Sequence, residues 1–182
     1  MKKAYVFLAE GFEEVEALTC VDILRRAGVN AVTVSVSGDN EVTGSHRIPV
    51  VADCMFADIT DDADLLVLPG GMPGATNLRA HEGLCELLLK QEAEGRIVSA
   101  ICASPAIVLG PLGLLKDREA TCYPGMEGTL FCRETVKDKN VVVCNNVVTS
   151  RGPATAMDFA LALTEALCGK EVKDKIAAGL LK

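Results

Sequence analysis

Short apolar runs alternate along this chain with stretches whose apolar residues have helical spacing. The clearest runs predict four strands: Lys3–Leu8, 31–36, Leu65–Leu68 and Ile97–Ile101. Their aliphatic and β-branched composition is typical of strands that are buried on both faces. Strands separated by helical stretches predict an α/β fold, in which a mostly parallel sheet carries helices on both faces.

The first helical stretch covers residues 13–26 and ends before Gly28, a residue type that often follows a helix. We expect its apolar residues to form the buried face: Val15, Leu18, Val21 and Ile23 or Leu24. Similar patterns predict three further helices: 81–94, 104–109 and 153–167. The last of these has Pro153 in its first turn and Gly169 beyond its end, the usual asymmetry of helix ends.

Shorter apolar segments predict further strands. Residues 42–43 and 48–51 predict a small hairpin or edge strands, and Pro49 restricts this piece to an edge because proline cannot donate to a neighbouring strand. Residues 141–143 and 147–149 predict two strands joined by an Asn-Asn turn.

The composition predicts a single domain, residues 1–182, with an aliphatic core. Of its 182 residues, 49% are hydrophobic, 4% are aromatic and none is tryptophan. The formal net charge is -7 and the isoelectric point is near 4.9. These values argue against nucleic acid and anionic membranes as partners, since both favour basic proteins.

The amino terminus and the cysteine spacing predict a cytoplasmic protein without a bound metal. The first apolar run ends at Ala9 and is followed by glutamates, which is not the pattern of an export signal. No apolar stretch approaches the roughly 20 residues that span a bilayer. The eight cysteines are scattered without a Cys-x-x-Cys pair, so we expect reduced and mostly structural thiols.

The strongest chemical signal is Cys102, which follows the run Ile97–Ile101 and precedes a helix start. In open α/β sheets, ligands and reactive groups collect at the carboxyl ends of strands. A cysteine on such a turn has its sulfur pushed outward, and the free amides of the next helix favour the thiolate. Cys102 is therefore a predicted nucleophile, with a small buried thiol as the alternative.

Three other segments follow strands and are predicted to reach the same edge. Gly70 and Gly71 provide free amides that suit an oxyanion, although a simple turn also explains them. Glu13, Glu14 and Glu16 are also explained as partners of a helix dipole. The segment 149–155 has the residues of a capped helix start.

Six motifs together resemble the ThiJ/PfpI superfamily and, more narrowly, its branch that contains the parkinsonism-associated protein deglycase, the DJ-type proteins. They are Glu-Glu-x-Glu at 13–16, the segment 21–28, Leu-Pro-Gly-Gly at 68–71, Ala-Ile-Cys-Ala-Ser-Pro at 100–105, Thr-Ser-Arg-Gly-Pro at 149–153 and the segment 165–172. The resemblance extends from about residue 3 to 175. It implies a flavodoxin-like three-layer sandwich and a homodimer.

The resemblance also implies roles for individual residues. Cys102 is the reactive thiol, and Glu16 is the carboxyl group bonded to its sulfur. The amides of Gly71 and Ala103, with Gly70 beside them, bind an anion or oxyanion. A protonated Glu16 is expected to donate to the thiolate and lower the pKa of Cys102, while the pKa of Glu16 rises. Four residues are candidates for the surroundings of this centre: Glu13, His46, Tyr123 and Arg151.

The chain departs from its relatives near the cysteine. Ala103 stands where protease-like members have histidine, which argues against a Cys-His peptidase mechanism. Tyr123 stands where other members have histidine, and His46 where relatives often have arginine. We expect His46 at the surface or at a subunit interface, and His81 exposed at a helix start.

The resemblance implies a glyoxalase or deglycase without a cofactor, acting on methylglyoxal, glyoxal or their thiol and amine adducts. Cys102 attacks the aldehyde and Glu16 transfers protons. The alternative is a sensor or chaperone in oxidative stress, in which Cys102 becomes a sulfinate. A role in thiamine-thiazole synthesis lacks a glycine-rich phosphate-binding motif. The sequence leaves open whether Cys20, Cys54 or Cys122 resolves an oxidised Cys102.

Overall fold

The centre of the molecule is a seven-stranded sheet that is parallel except at one edge. The computed structural model describes all 182 residues. The strands are β1 (Lys3–Leu8), β2 (Asn30–Ser35), β3 (Glu41–Thr43), β4 (Pro49–Val51), β5 (Cys54–Met55), β6 (Leu65–Leu68), β7 (Ile97–Ile101), β8 (Glu119–Ala120), β9 (Glu134–Thr135), β10 (Val141–Cys144) and β11 (Val147–Ser150). The order in the main sheet is β10-β11-β7-β6-β1-β2-β5, and β10 and β11 form its antiparallel pair.

Helices cover both faces of this sheet, as predicted. They are α1 (Glu14–Arg26), α2 (Gly74–Ala80), α3 (Glu82–Ala93), α4 (Ala156–Cys168) and α5 (Lys170–Gly179). Successive residues of a strand face opposite sides. Ala4, Val6 and Leu8 of β1 share one core with α1 and α4, whereas Tyr5 and Phe7 share the other core with α3. None of the helices has both the length and the apolar character of a membrane span.

The predicted strands are confirmed with small differences at their ends. The predicted hairpin is the antiparallel pair of β3 and β4, which stands apart from the main sheet. The Asn-Asn turn joins β10 to β11, and Asn145 has the positive φ of 54° that asparagine tolerates in such turns. Three short strands, β5, β8 and β9, are absent from the predictions because two residues contain no periodicity.

The buried face of α1 differs from the predicted one. Val15 is 52% exposed and Leu18 is 40% exposed, whereas the later apolar residues of the helix are buried as expected. The first half of the helix buries these residues instead: Glu14, Glu16, Ala17 and Cys20. Polar groups inside the fold bind the carboxyl groups of Glu14 and Glu16, so these two residues occupy the inner face. Val15 and Leu18 therefore form an apolar strip on the surface.

The predicted helices need three corrections. The segment 104–109 is a single π-helical turn at Pro105–Leu109. The segment 153–167 begins with a 3-10 turn at Pro153–Thr155 before α4, and α5 then follows as the last helix. Neither α2 nor α5 is predicted, because α2 has only seven residues and α5 buries none of its side chains.

His81 is partly buried, so the expectation of an exposed side chain is wrong. Its Nδ1 accepts a hydrogen bond from the Leu84 amide at 3.0 Å and caps α3. Its ring centroid lies 4.4 Å from that of Phe56. His81 therefore has a structural role at a helix end.

Candidate active site

The candidate residues come together at the carboxyl ends of four neighbouring strands, β1, β6, β7 and β11. The acidic segment containing Glu16 follows β1, and Gly70 follows β6. Cys102 follows β7, and Arg151 follows β11. The predicted meeting of these four segments at one edge is confirmed. It is a consequence of parallel strands, whose ends all lie on the same side of the sheet.

Cys102 occupies a strained turn. Its φ is 64°, in the left-handed region that side chains other than glycine rarely adopt. Its amide donates to the carbonyl of Ser150 at 3.0 Å, and its carbonyl accepts from the amide of Tyr123 at 2.8 Å. The hydroxyl of the fully buried Ser104 donates to the carbonyl of Pro69. Neighbouring strands thus fix the turn on both sides, and the cysteine is 9% exposed, more enclosed than predicted.

The carboxyl group of Glu16 is buried beside this thiol. Glu16 is 0% exposed, and its Oε2 accepts a hydrogen bond from the Gly70 amide at 2.7 Å. Its Oε1 is buried without a hydrogen-bond partner. A β-carbon built on Gly70 would lie 2.6 Å from the Cys102 β-carbon and 2.9 Å from Glu16 Oε2. Position 70 therefore needs glycine for space.

Burial and mutual repulsion set the protonation of this pair. Burial raises the pKa of Glu16 to about 7, although the hydrogen bond from the Gly70 amide acts to lower it. Burial has the largest effect on Cys102 and, with the Glu16 carboxylate, raises its pKa to about 12. The amides of Gly71 and Ala103 lower this pKa, but by less. The expected lowering of the thiol pKa concerns a protonated Glu16; beside an ionised Glu16 the thiol pKa is raised instead. The two groups titrate together, and a proton on Glu16 removes the repulsion.

The amides of Gly71 and Ala103 lower the pKa of Cys102, which agrees with the anion donors that the resemblance implies. Gly71 has a φ of +86°, and a β-carbon there would lie 2.5 Å from the carbonyl oxygen of Gly11 and from the amide nitrogen of Glu13. The glycine thus lets the loop after β6 pack against the loop after β1.

Glu13 and His46 lie at the entrance to α1. Glu13 caps the helix: its Oε1 accepts from the Val15 amide at 3.4 Å, and its own amide donates to the Gly70 carbonyl at 3.0 Å. His46 is 68% exposed, and its Nδ1 lies 2.8 Å from Glu14 Oε2. This hydrogen bond raises the pKa of His46. His46 thus lies at the surface, as expected, and contacts Glu14.

One group of side chains has donor atoms close enough to hold a metal ion. These atoms, from Glu13, Glu14 and His46, all lie within 4.8 Å of one another. The hydroxyl of Ser45 lies 3.3 Å from a carboxylate oxygen of each glutamate. The contacts among these residues already satisfy the acidic groups.

Sequence reasoning misses two residues that position the thiol, Ser104 and Ser150. Ser104 belongs to the Cys-Ala-Ser-Pro motif, and a small hydroxyl residue there is the available signal. Ser150 acts through its backbone carbonyl, which any residue type supplies, so no sequence signal exists for it.

Comparison with known proteins identifies relatives along the whole chain. The DJ-1/PfpI family model matches residues 2–166. Protein DJ-1 homolog B of Arabidopsis thaliana is 39% identical over 99% of this chain, which spans only 41% of that relative. Glutathione-independent glyoxalase DJR-1.2 of Caenorhabditis elegans is 33% identical, with 93% of this chain and 91% of the relative covered.

A solved structure gives the same fold. Toxoplasma gondii DJ-1, in a structure described as oxidized, has a TM-score of 0.95 and 40% sequence identity to this chain. The match covers 100% of this chain and 98% of that one. The expected flavodoxin-like sandwich is therefore confirmed.

Proposed function

Since this chain belongs to the DJ-1/PfpI family, we propose that it is a cysteine-dependent glyoxalase or deglycase that works without a cofactor. Its substrates are methylglyoxal, glyoxal or their thiol and amine adducts. The observation that carries the proposal is the buried pair of Glu16 and Cys102 on the strained turn. The relative named a glutathione-independent glyoxalase supports it.

In the first step, the sulfur of Cys102 attacks the aldehyde carbon. A carbon–sulfur bond forms, and the aldehyde oxygen takes the proton of Glu16 to give a hemithioacetal, which leaves Glu16 ionised. The reactive form is a thiolate beside a protonated Glu16, because the neutral carboxyl group does not repel the thiolate. The unpartnered Oε1 of Glu16 is the atom that can donate to sulfur.

In the second step, Glu16 takes the proton from the former aldehyde carbon and returns it to the neighbouring carbonyl carbon. The hydroxyl proton on the first carbon moves to the oxygen of the second carbon. The first carbon becomes a thioester and the second becomes an alcohol, so oxidation and reduction balance within the substrate. In this proposal the amides of Gly71 and Ala103, which also lower the pKa of Cys102, donate to the developing oxyanion. Water then breaks the carbon–sulfur bond and releases a 2-hydroxy acid. A Glu16 pKa of about 7 suits a group that both takes and gives a proton.

The test is lactate formation from methylglyoxal, followed with a stereospecific assay. We expect Cys102→Ser and Glu16→Gln to lose about a hundredfold or more in turnover, the usual range for a general acid-base. Cys132→Ser is the matched control, since this free thiol contacts the hydroxyl of Thr135 at 3.5 Å. Glu16→Gln activity within about twofold of the unmodified protein would remove Glu16 from the mechanism.

We also propose that the protein is a cytoplasmic homodimer. The apolar strip of Val15 and Leu18 on α1 is exposed, and so are Ile48 (51%) and Val51 (71%) on the hairpin segment. Hydrogen bonds join this hairpin to the start of α1, as between the Ser45 amide and the Phe12 carbonyl at 2.8 Å. Exposed apolar groups on neighbouring elements support an interface there. All eight cysteines are free, which suits a reducing compartment.

A redox sensor is the second candidate, and the surroundings of the sulfur favour it. Two backbone amides and the Glu16 carboxyl converge there. The same donors suit the two oxygens of a cysteine sulfinate. In this function the oxidised form is the signal and turnover is absent.

A further inference from the structure

Arg151 is a partly buried cation without a partner. Its guanidinium group makes no hydrogen bond and no ion pair in the structure, although the residue is only partly exposed. Arg96 and Arg118, which are buried to a similar degree, form ion pairs with Glu94 and Glu92. Enclosed arginines normally bind an anion, because withdrawing the charge from water without compensation is costly. Arg151 lacks that anion within the chain.

Two adjoining cavities share Arg151 and Pro124 in their walls. Tyr123 lines the first cavity. The second is the more enclosed one, has a volume of about 150 Å³, and includes Glu127 and Lys137. Glu127 is already engaged: its Oε2 accepts from the Gly125 amide at 2.8 Å, and its Oε1 lies 3.7 Å from Lys137 Nζ. The charge of Arg151 therefore remains uncompensated there.

One wall residue of the first cavity contacts the reactive turn. The Tyr123 amide donates to the Cys102 carbonyl at 2.8 Å, and the Tyr123 side chain forms part of the cavity wall. On the opposite strand, the carbonyl of Ser150, the residue before Arg151, accepts from the Cys102 amide at 3.0 Å. Arg151 thus directly follows the residue whose carbonyl binds the Cys102 amide, and it lines both cavities.

We propose that Arg151 binds a substrate carboxylate, so that the preferred substrates of Cys102 are 2-oxoaldehydes with a carboxylate arm. A guanidinium group binds a carboxylate through two parallel hydrogen bonds, which orients as well as attracts it. The chain carries a net charge of -7, so an anionic substrate needs a local cation. The inference rests on the proposed function and narrows its substrate class.

A suitable probe is 4,5-dioxopentanoate, a 2-oxoaldehyde with a carboxylate at its other end. Its conversion consumes one water: the aldehyde carbon is oxidised to a carboxylate, and the neighbouring ketone is reduced to an alcohol. The product is 2-hydroxyglutarate, and no outside oxidant or reductant is needed. Methylglyoxal undergoes the same chemistry but lacks the arm.

The experiment compares kcat/KM for the two substrates at fixed ionic strength. Arg151→Gln should lower the ratio of dioxopentanoate to methylglyoxal by about tenfold to a hundredfold, the usual effect of losing a charged hydrogen bond. Arg151→Lys keeps the positive charge but cannot form the two parallel hydrogen bonds, so it should give an intermediate ratio. Arg133→Gln is the control. It changes the net charge by the same amount, but Arg133 is paired with Glu119, so the ratio should remain unchanged. An unchanged ratio in Arg151→Gln overturns the proposal.

A binding measurement separates this inference from the proposed function. Glutarate carries the carboxylate but no aldehyde, and glutaramide is its neutral counterpart. Glutarate, but not glutaramide, should shift the Arg151 Nε–H signal in the nitrogen-15 NMR spectrum of the unmodified protein. A shift without any turnover supports the carboxylate site and contradicts the glyoxalase. Turnover of methylglyoxal without a glutarate shift contradicts the carboxylate site alone.

Discussion

Glu16 and Cys102 meet at the α-carbon of Gly70. A methyl group built there lies 2.9 Å from a carboxyl oxygen of Glu16 and 2.6 Å from the β-carbon of Cys102, and real β-carbons do not approach other atoms so closely. The Gly70 amide also donates to the same carboxyl group at 2.7 Å. The Gly70 amide therefore binds the Glu16 carboxyl group. Because Gly70 has no side chain, that carboxyl group and Cys102 can lie close together.

Gly70→Ala should push the pair apart. We expect a loss of about 1–3 kcal/mol in the free energy of unfolding, as for other overpacked interiors, together with a large loss of aldehyde turnover. Gly38→Ala is the control, since nothing lies within 4 Å of a β-carbon built there. Urea unfolding and lactate formation measure the two effects. Wild-type turnover in Gly70→Ala would show that the spacing of the pair is unimportant.

The raised pKa of Glu16 predicts a pH dependence of stability. The fold favours the protonated carboxyl group, so its contribution is complete below the ordinary value of 4.5 and is lost as pH rises through about 7. A rise of this size corresponds to about 3 kcal/mol, at about 1.4 kcal/mol for each pKa unit. Urea unfolding at pH 4.5 and at pH 8 measures this loss.

Glu16→Gln is the control for that measurement, because the amide keeps the shape of the side chain but does not titrate. The unmodified protein should lose stability relative to this variant as pH rises. Parallel pH profiles for the two proteins would mean that Glu16 has an ordinary pKa in the folded state.

The coupling of the pair also predicts selective thiol chemistry. Below the Glu16 pKa of about 7, the neutral carboxyl group no longer repels a thiolate at Cys102. Cys122 is the matched thiol: burial raises its pKa to about 12 as well, but it has no buried carboxyl partner. At pH 6, iodoacetamide should label Cys102 first, as mapped by mass spectrometry. Equal labelling of Cys102 and Cys122 would contradict the proposed reactive form.

The sequence predicts the fold and the meeting of the four strand ends, because both follow from the order of apolar runs and helices. Only the family resemblance, and not the local pattern, implies the inward position of Glu16. Helical periodicity assigns Val15 and Leu18 to the core, whereas the structure exposes both. The deciding contact is the Gly70 amide, which is 54 residues from Glu16 along the chain. Local patterns contain no information about such a partner.

The sequence does not predict the raised pKa of Cys102 beside an ionised Glu16, for a related reason. A turn before a helix predicts free amides near the sulfur, and Gly71 and Ala103 provide them. Burial and the Glu16 carboxylate have the larger effect. Both depend on how tightly the site is packed, which residue types alone do not determine.

The exposed apolar strip predicts the effect of surface charges on assembly. If α1 and the hairpin form a homodimer interface, Leu18→Glu and Val51→Lys should yield monomers, since each places a charge in an apolar contact. Val143→Lys is the control, because Val143 is 59% exposed on β10 at one edge of the sheet. Size-exclusion chromatography with light scattering measures the mass. A monomeric unmodified protein would contradict the proposed dimer.

Oxidation separates the enzyme from the sensor, because both need Cys102 but only the sensor uses its oxidation product. Peroxide transfers oxygen to the thiol in two steps, and the resulting sulfinate no longer attacks aldehydes. If the protein is a glyoxalase, turnover should fall in proportion to the sulfinate content measured by mass spectrometry. If it is a sensor, the reduced protein should turn over no faster than free thiols. Oxidation should then change its melting temperature, because the Glu16 carboxyl group and the amides of Gly71 and Ala103 bind the new oxygens. For the glyoxalase, the contradicting result is full aldehyde turnover by protein in which Cys102 is completely converted to the sulfinate. That result would exclude Cys102 as the nucleophile.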